Sequence, residues 1–223
     1  MKTYQMILAI WAAVVISVPV GAYAQSHLFG DGQNGAGLAA NLESGEDYTM
    51  VGATFGYTVN GRIDFGLSFG RASFDESEYG EDFSATLIAP YANATIVRPT
   101  AQSPVGVILQ GAYGKTSFSG DVLDYQQWDL SSVGLSAGGV LYLELEASPE
   151  VKVYPALGVG YSSVTSTIED QANNSVDEEV TDTLFSGGVT LLFNDRVFVT
   201  PSFTSFDGSS SWGVSAGVVL SSK

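Results

Sequence analysis

The stretch Arg62-Ile63-Asp64-Phe65-Gly66-Leu67-Ser68-Phe69-Gly70 decides the fold. Ile63, Phe65, Leu67 and Phe69 share one face, and Arg62, Asp64, Gly66, Ser68 and Gly70 share the other. This is the period of two that a strand imposes, because successive side chains leave opposite sides of the backbone. One face is oily and the other small and polar. The division recurs upstream, with Val51, Ala53, Phe55, Tyr57 and Val59 against Gly52, Thr54, Gly56 and Thr58. Downstream, Val133, Leu135, Ala137, Leu141, Leu143 and Leu145 oppose Gly134, Ser136, Gly138 and Tyr142. Near the C-terminus Trp212, Val214, Ala216, Val218 and Leu220 oppose Gly213, Ser215 and Gly217. Helical spacing is sustained nowhere after Gly35.

Turn signals divide these runs into ten strands, at 35–43, 48–59, 62–75, 83–97, 105–118, 131–146, 151–167, 183–194, 196–206 and 211–220. The connectors alternate. Asn60-Gly61, Arg98 to Pro104, Ala147 to Glu150 and Asn194-Asp195 are short. Ser44 to Asp47, Glu76 to Asp82, Ser119 to Leu130, Glu169 to Asp182 and Asp207 to Ser210 are mostly longer and acidic. An up-and-down meander follows, with short turns at one end and longer loops at the other. Pro90, Pro155 and Pro201 fall inside strands, where each removes a ladder donor, so bulges or breaks are expected there.

The second face decides which way the sheet curls. Charged residues make up 14% of the 223, against about 25% for an ordinary soluble domain. The non-oily face is Gly, Ser, Thr and Ala, too uncharged for a surface in water but suited to a barrel lumen. In a bilayer the sheet must close, since an open edge leaves N–H and C=O groups unpaired in hydrocarbon. The expected fold is therefore all-β, a transmembrane antiparallel up-and-down β-barrel of ten strands (alternative eight) with its oily face toward lipid. Aromatic girdles are expected from Tyr48, Phe74, Tyr79, Phe83, Phe118, Tyr125, Trp128, Phe206 and Trp212 at the long-loop end. Tyr57, Phe65, Phe193 and Phe198 would form the other. A soluble exported barrel holding a small apolar ligand is a third, weaker alternative.

Lys2, the apolar stretch Met6 to Val20 and the small-x-small triplet Ala22-Tyr23-Ala24 read as a signal peptide over 1–24, leaving a barrel domain over 25–223. The absence of cysteine excludes a disulfide framework and thiolate chemistry. Eight basic against 24 acidic residues, net −16, excludes the basic footprint that nucleic acid requires. The single histidine, His27, precedes the first strand and is expected to be a solvated terminal residue. Without a second base no triad can be assembled, so neither catalysis nor a cofactor is expected. Asp75 to Asp82 lacks the alternating ligands of a helix-loop-helix calcium site, so no metal is assigned.

The secretion signal, the meander and the alternating short turns and acidic loops resemble the outer-membrane β-barrel superfamily of diderm bacteria, in particular its small porin-like and opacity-type members. The resemblance implies short turns and both chain ends in the periplasm, long loops outside, and outer-membrane lipid as partner. It also implies a final aromatic residue, where this chain has Leu220 followed by Ser221, Ser222 and Lys223. With the long loops outside, 18 of the 24 acids lie at that end. Asp75, Glu76, Glu78, Glu81, Asp82, Asp177, Glu178, Glu179 and Asp182 form a candidate acidic rim there, and only Arg71 and Lys115 lie near it. Such a rim favours cations, and divalent cations bridging the loops to anionic headgroups are a further expectation. The lumen, lined by Gly52, Thr54, Gly66, Ser68, Gly134, Ser136, Gly158, Gly160, Ser186 and Thr190, would be free of bulk. Arg62, Asp64, Glu144, Glu146 and Lys152 are its candidate charges, Glu144 and Glu146 pairing with Lys152. The expected function is a small porin-like protein giving narrow, cation-preferring passage. The alternative is a non-conducting surface, adhesion or structural protein using its acidic loops. Oligomeric state is left open.

Overall fold

The computed structural model describes residues 26–74, 83–126, 128–172 and 174–222. The signal-peptide reading, and Asp75, Glu76, Glu78, Tyr79, Glu81 and Asp82, lie outside them. A 3-10 turn (Ser26–Leu28) leads into β1 (Asn34–Ser44), β2 (Tyr48–Val59), β3 (Ile63–Phe74), β4 (Ser84–Val97) and β5 (Val105–Ser119). A short helix α1 (Asp121–Gln126) precedes β6 (Asp129–Leu143) and β7 (Leu145–Ser148). Then come β8 (Val151–Glu169), β9 (Ser175–Phe193), β10 (Val197–Phe206) and β11 (Ser209–Ser222).

Every neighbouring pair is antiparallel. β1 closes on β11, from Asn34↔Ser222 to Ser44↔Trp212, and β6 closes on β8. The ring has ten staves, because β6 and β7 are one strand. Tyr142 pairs with Ala156 and Leu145 with Val153 in one unbroken register, and the step lost between them faces Pro155, which has no N–H to give. The other two strand prolines act alike. The β4–β5 ladder skips from Ile88↔Lys115 to Tyr91↔Ala112 around Pro90, and the β9–β10 ladder skips from Val199↔Leu191 to Ser202↔Gly188 around Pro201. Of the bulges or breaks expected at the prolines, these two sites show the second, a local gap in the ladder without a register shift. Each proline points outward.

Three tight turns use left-handed residues: Asn60-Gly61, Asn194-Asp195 and Asp207-Gly208 all have φ between 47° and 76°. Two consecutive positive φ values are what a hairpin turn matched to strand twist requires. Asp207 to Ser210, expected as a loop, is such a turn. The larger correction concerns Glu169 to Asp182, also expected as a loop. β8 runs to Glu169 and β9 starts at Ser175, with pairs down to Glu169↔Ser175.

The oily face is outside. Leu38, Phe55, Phe65, Phe69, Leu109, Leu135, Leu141, Leu157 and Leu220 are all at least half exposed, while Thr54, Thr58, Asp64, Ser68 and Ser215 are buried. This arrangement inverts a water-soluble barrel and is that of a membrane-spanning barrel of the outer-membrane type. Tyr57 and Phe65, ring centroids 5.9 Å apart, and Phe203 and Trp212, 5.6 Å apart, mark the outer wall toward its two ends. Arg71 and Lys115 also point outward, beside Thr86 and Ile88 on β4. Long cationic chains there can lay their stems along the apolar wall with their charges toward the headgroups.

Candidate functional site: the lumen and the outer hairpin

The lumen carries the small residues expected of it, but it is not free of bulk. Tyr48, Phe74, Phe83, Phe118 and Phe206, expected as lipid-facing girdle, are buried, and so is Phe198. All six sit on the inward parity of their strands. Tyr48, Phe74, Phe83 and Phe118 join Met50, Leu87, Tyr91 and Leu130 in one cluster, sealed by Leu123 of α1 and by Trp128. The Phe74 and Phe83 rings meet edge to face at 5.5 Å. A second cluster occupies the short-turn half, where Leu28 and Phe29 pack with Ile108, Tyr142, Tyr154, Leu192 and Phe198.

The N-terminal segment supplies part of this second plug, so His27 is not a solvated terminal residue. It is 9% exposed, its ring 5.4 Å from Tyr142 and 5.1 Å from Tyr154. The segment is fastened from below. Arg98 donates to the Phe29 carbonyl at 2.9 Å, and Asp31 accepts from Arg62 at 2.9 Å with Arg98 3.8 Å away. The hydrogen bond from Arg62 holds the Asp31 carboxyl below the usual carboxylate range. The only sequence signal for this plug was the apolar pair Leu28-Phe29.

Elsewhere the inner wall is polar and partly paired in short chains, while Asn41 Oδ1, Gln110 Oε1, Thr116 Oγ1 and Ser215 Oγ are buried without a hydrogen-bond partner among the described residues. Asn41 donates to Thr54 at 2.9 Å and Thr54 meets Ser68 at 2.8 Å; Thr58 donates to Asp64 at 2.7 Å; Ser132 meets Ser166 at 2.7 Å and Thr190 meets Thr200 at 2.9 Å. A cavity of about 30 Å³ remains beside His27, Ile108, Thr190 and Thr200, room for about one water. Of the five candidate lumen charges only Asp64 is fully enclosed. Arg62 is half exposed in the turn below, and Glu144 and Glu146 are exposed at the short-turn rim, Glu144 accepting from Tyr154 at 3.4 Å. Lys152 faces Glu146 in register, but its ion pair is with Asp195 at 3.0 Å, a residue the next turn brings over. The expected pairing of Glu144 and Glu146 with Lys152 is corrected accordingly.

At the outer end β8 and β9 continue as a hairpin. β9 pairs with β10 only as far as Phe185↔Ser205, then runs ten residues further to Ser175, roughly 33 Å of strand. Among the described residues no strand pairs with this edge. Thr183 N–H donates to Asp182 Oδ1 at 2.6 Å rather than across to β8, so it points to the open side. By the two-residue period, the backbone groups of Thr181, Glu179 and Asp177 face the same way. Of the candidate rim, Asp177, Glu178, Glu179 and Asp182 therefore lie on a strand, with Glu179 accepting from Ser163 and Asp177 from Thr167, both at 2.8 Å. Asp170 closes the tip, accepting from the N–H groups of Ala172 and Asn174 at 2.8 and 2.9 Å. Its carboxyl is held below the usual range, chiefly by the Asn174 side chain.

No family model matches this chain, and no curated protein matches it. Solved structures do share its outline. The N-terminal β-barrel domain of OprF from Pseudomonas aeruginosa is 14% identical over 85% of this chain and 100% of its own, with a TM-score of 0.38. The translocator domain of the autotransporter NalP from Neisseria meningitidis is 11% identical over 98% and 96%, at 0.49. The outer-membrane protease OmpT from Escherichia coli is 8% identical over 85% and 94%, at 0.40.

Proposed function

We propose that this outer-membrane barrel is non-conducting and acts at its outer end, as a surface protein that offers the open edge of β9 to an extended polypeptide. The observation that carries this reading is the filled lumen. Aromatic clusters occupy both halves, and the pocket of about 30 Å³ beside His27 lies within the lower one, lined by Ile108, Val140 and Tyr142; on this reading they block a hydrated ion. The acidic rim then has no pore to serve, and its carboxylates on β9 instead dress an unpaired edge. Charges on an edge strand keep identical edges apart. They also select a basic strand among those that could add to it by main-chain hydrogen bonds. Neither catalysis nor a cofactor enters this reading, and His27, enclosed in the lower plug, serves packing.

Planar-bilayer recording of the refolded protein separates the two functions. The expected result is no steady channel events, together with binding of an extended Lys-rich peptide that falls at least tenfold in D177N/E178Q/E179Q/D182N. Cation-selective channels from the wild type would restore the porin-like alternative.

A further inference from the structure

The outer wall is not evenly convex. An open groove of about 920 Å³ crosses it, and none of its lining residues is charged. Strand register gives its course. One bank is the outward row Ser44, Trp212, Phe203, Gly187, Leu157 and Leu141, each in register with the next from β1 through β11, β10, β9 and β8 to β6. The other bank has Leu42 and Val214 at one end and Pro201, Val189 and Pro155 across the middle. Between the banks the floor is Gly213, Ser202, Gly188 and Ala156. The sequence explains the depression, since Gly187 leaves a gap in its own bank and the floor is small as far as Tyr142, whose side chain turns into the lumen. Six strands at about 4.8 Å spacing make it roughly 24 Å long. Because strands in such barrels tilt, it runs obliquely across the belt, with Ser44 and Trp212 at its outer end.

We infer that this groove holds one extended acyl chain of an outer-leaflet lipid. It lies on the face that meets the bilayer, so hydrocarbon is what surrounds it. A chain laid in it touches protein on three sides where a flat wall offers one, and close packing, rather than expulsion from water, decides association inside a membrane. Trp212 and Ser44 at the outer end suit the headgroup boundary. A second copy of the chain fits poorly. A two-fold contact would set the groove against itself, leaving a void where complementarity is needed.

Native mass spectrometry tests this on the full barrel refolded into palmitoyl-oleoyl phosphatidylcholine vesicles and extracted into detergent. The wild type should retain one lipid per barrel as the micelle is stripped. Gly187→Phe should lose at least five-sixths of that adduct, because a Cβ there points into the groove toward the movable ends of Phe203, at 2.8 Å, and Leu157, at 3.1 Å. Val189→Phe, which adds bulk at an already outward position, should act likewise should Gly187→Phe fail to fold, as judged by heat-shifted gel mobility. Leu109→Phe, on the outer wall away from the groove, should retain the lipid. Absence of lipid from the wild type, equal retention in both groove variants, or a dimer mass with no lipid would each overturn the assignment.

Discussion

Leu135→Arg should lower the stability of the membrane-inserted barrel by about 2–4 kcal/mol, the cost of a guanidinium near the bilayer midplane. Leu135 is 64% exposed on the outward face of β6, near mid-length and between Tyr113 and Ser163 on the flanking strands. In water an exposed leucine is an easy site, and its replacement usually stays within about 0.5 kcal/mol. The size of the effect therefore reports which solvent the oily face meets. Urea titration of refolded protein in vesicles, followed by tryptophan fluorescence, reads it directly. A change below about 0.5 kcal/mol would mean that the face is not in lipid.

Phe198→Ala should cost about 3–5 kcal/mol, the range for emptying a buried phenylalanine site. Phe198 is 1% exposed within the cluster at the short-turn end. Its ring lies directly over Gly217, where a Cβ would stand 2.7 Å from Phe198 Cζ, so the site is filled to contact and cannot collapse freely. The same titration measures the loss. Had Phe198 been part of a lipid-facing girdle, its truncation would exchange one apolar contact for another with lipid and cost far less.

Local alternation carried most of the fold. The two faces of β2, β3 and β11 were readable because a strand keeps its parity from end to end, and the first five strands end within one residue of their expected limits. Parity also explains the misassigned aromatics. Tyr48 lies on the inward parity of Thr54, and Phe74 on that of Ser68, so continuing the count would have placed both in the lumen. A position near an interface says nothing about which face a ring takes. The run Asp177-Glu178-Glu179 concealed β9, since acidic composition resembles a loop. What holds it as a strand is Val164 against Val180 and Ile168 against Val176, a cross-strand match invisible from one segment. The lower plug was hidden for a similar reason: residues 26–33 have no periodicity, and their anchors, Arg62, Arg98 and Tyr154, are supplied by distant strands and turns. Lys152 found Asp195 because the ring brings those turns together. Chain topology, not local composition, settled the mouth of the barrel.

The most direct test of the membrane-barrel account returns to residues 62–70. The chain has no cysteine, so single-cysteine variants from Ile63 to Gly70 can each carry one spin label, and collision with oxygen and with a water-soluble nickel chelate can be compared along the strand in vesicles. The account predicts a period of two, with labels at 63, 65, 67 and 69 colliding with oxygen dissolved in hydrocarbon and shielded from nickel, and labels at 64, 66, 68 and 70 shielded from both. Strong nickel collisions at 65, 67 and 69 would place the oily face in water and contradict it.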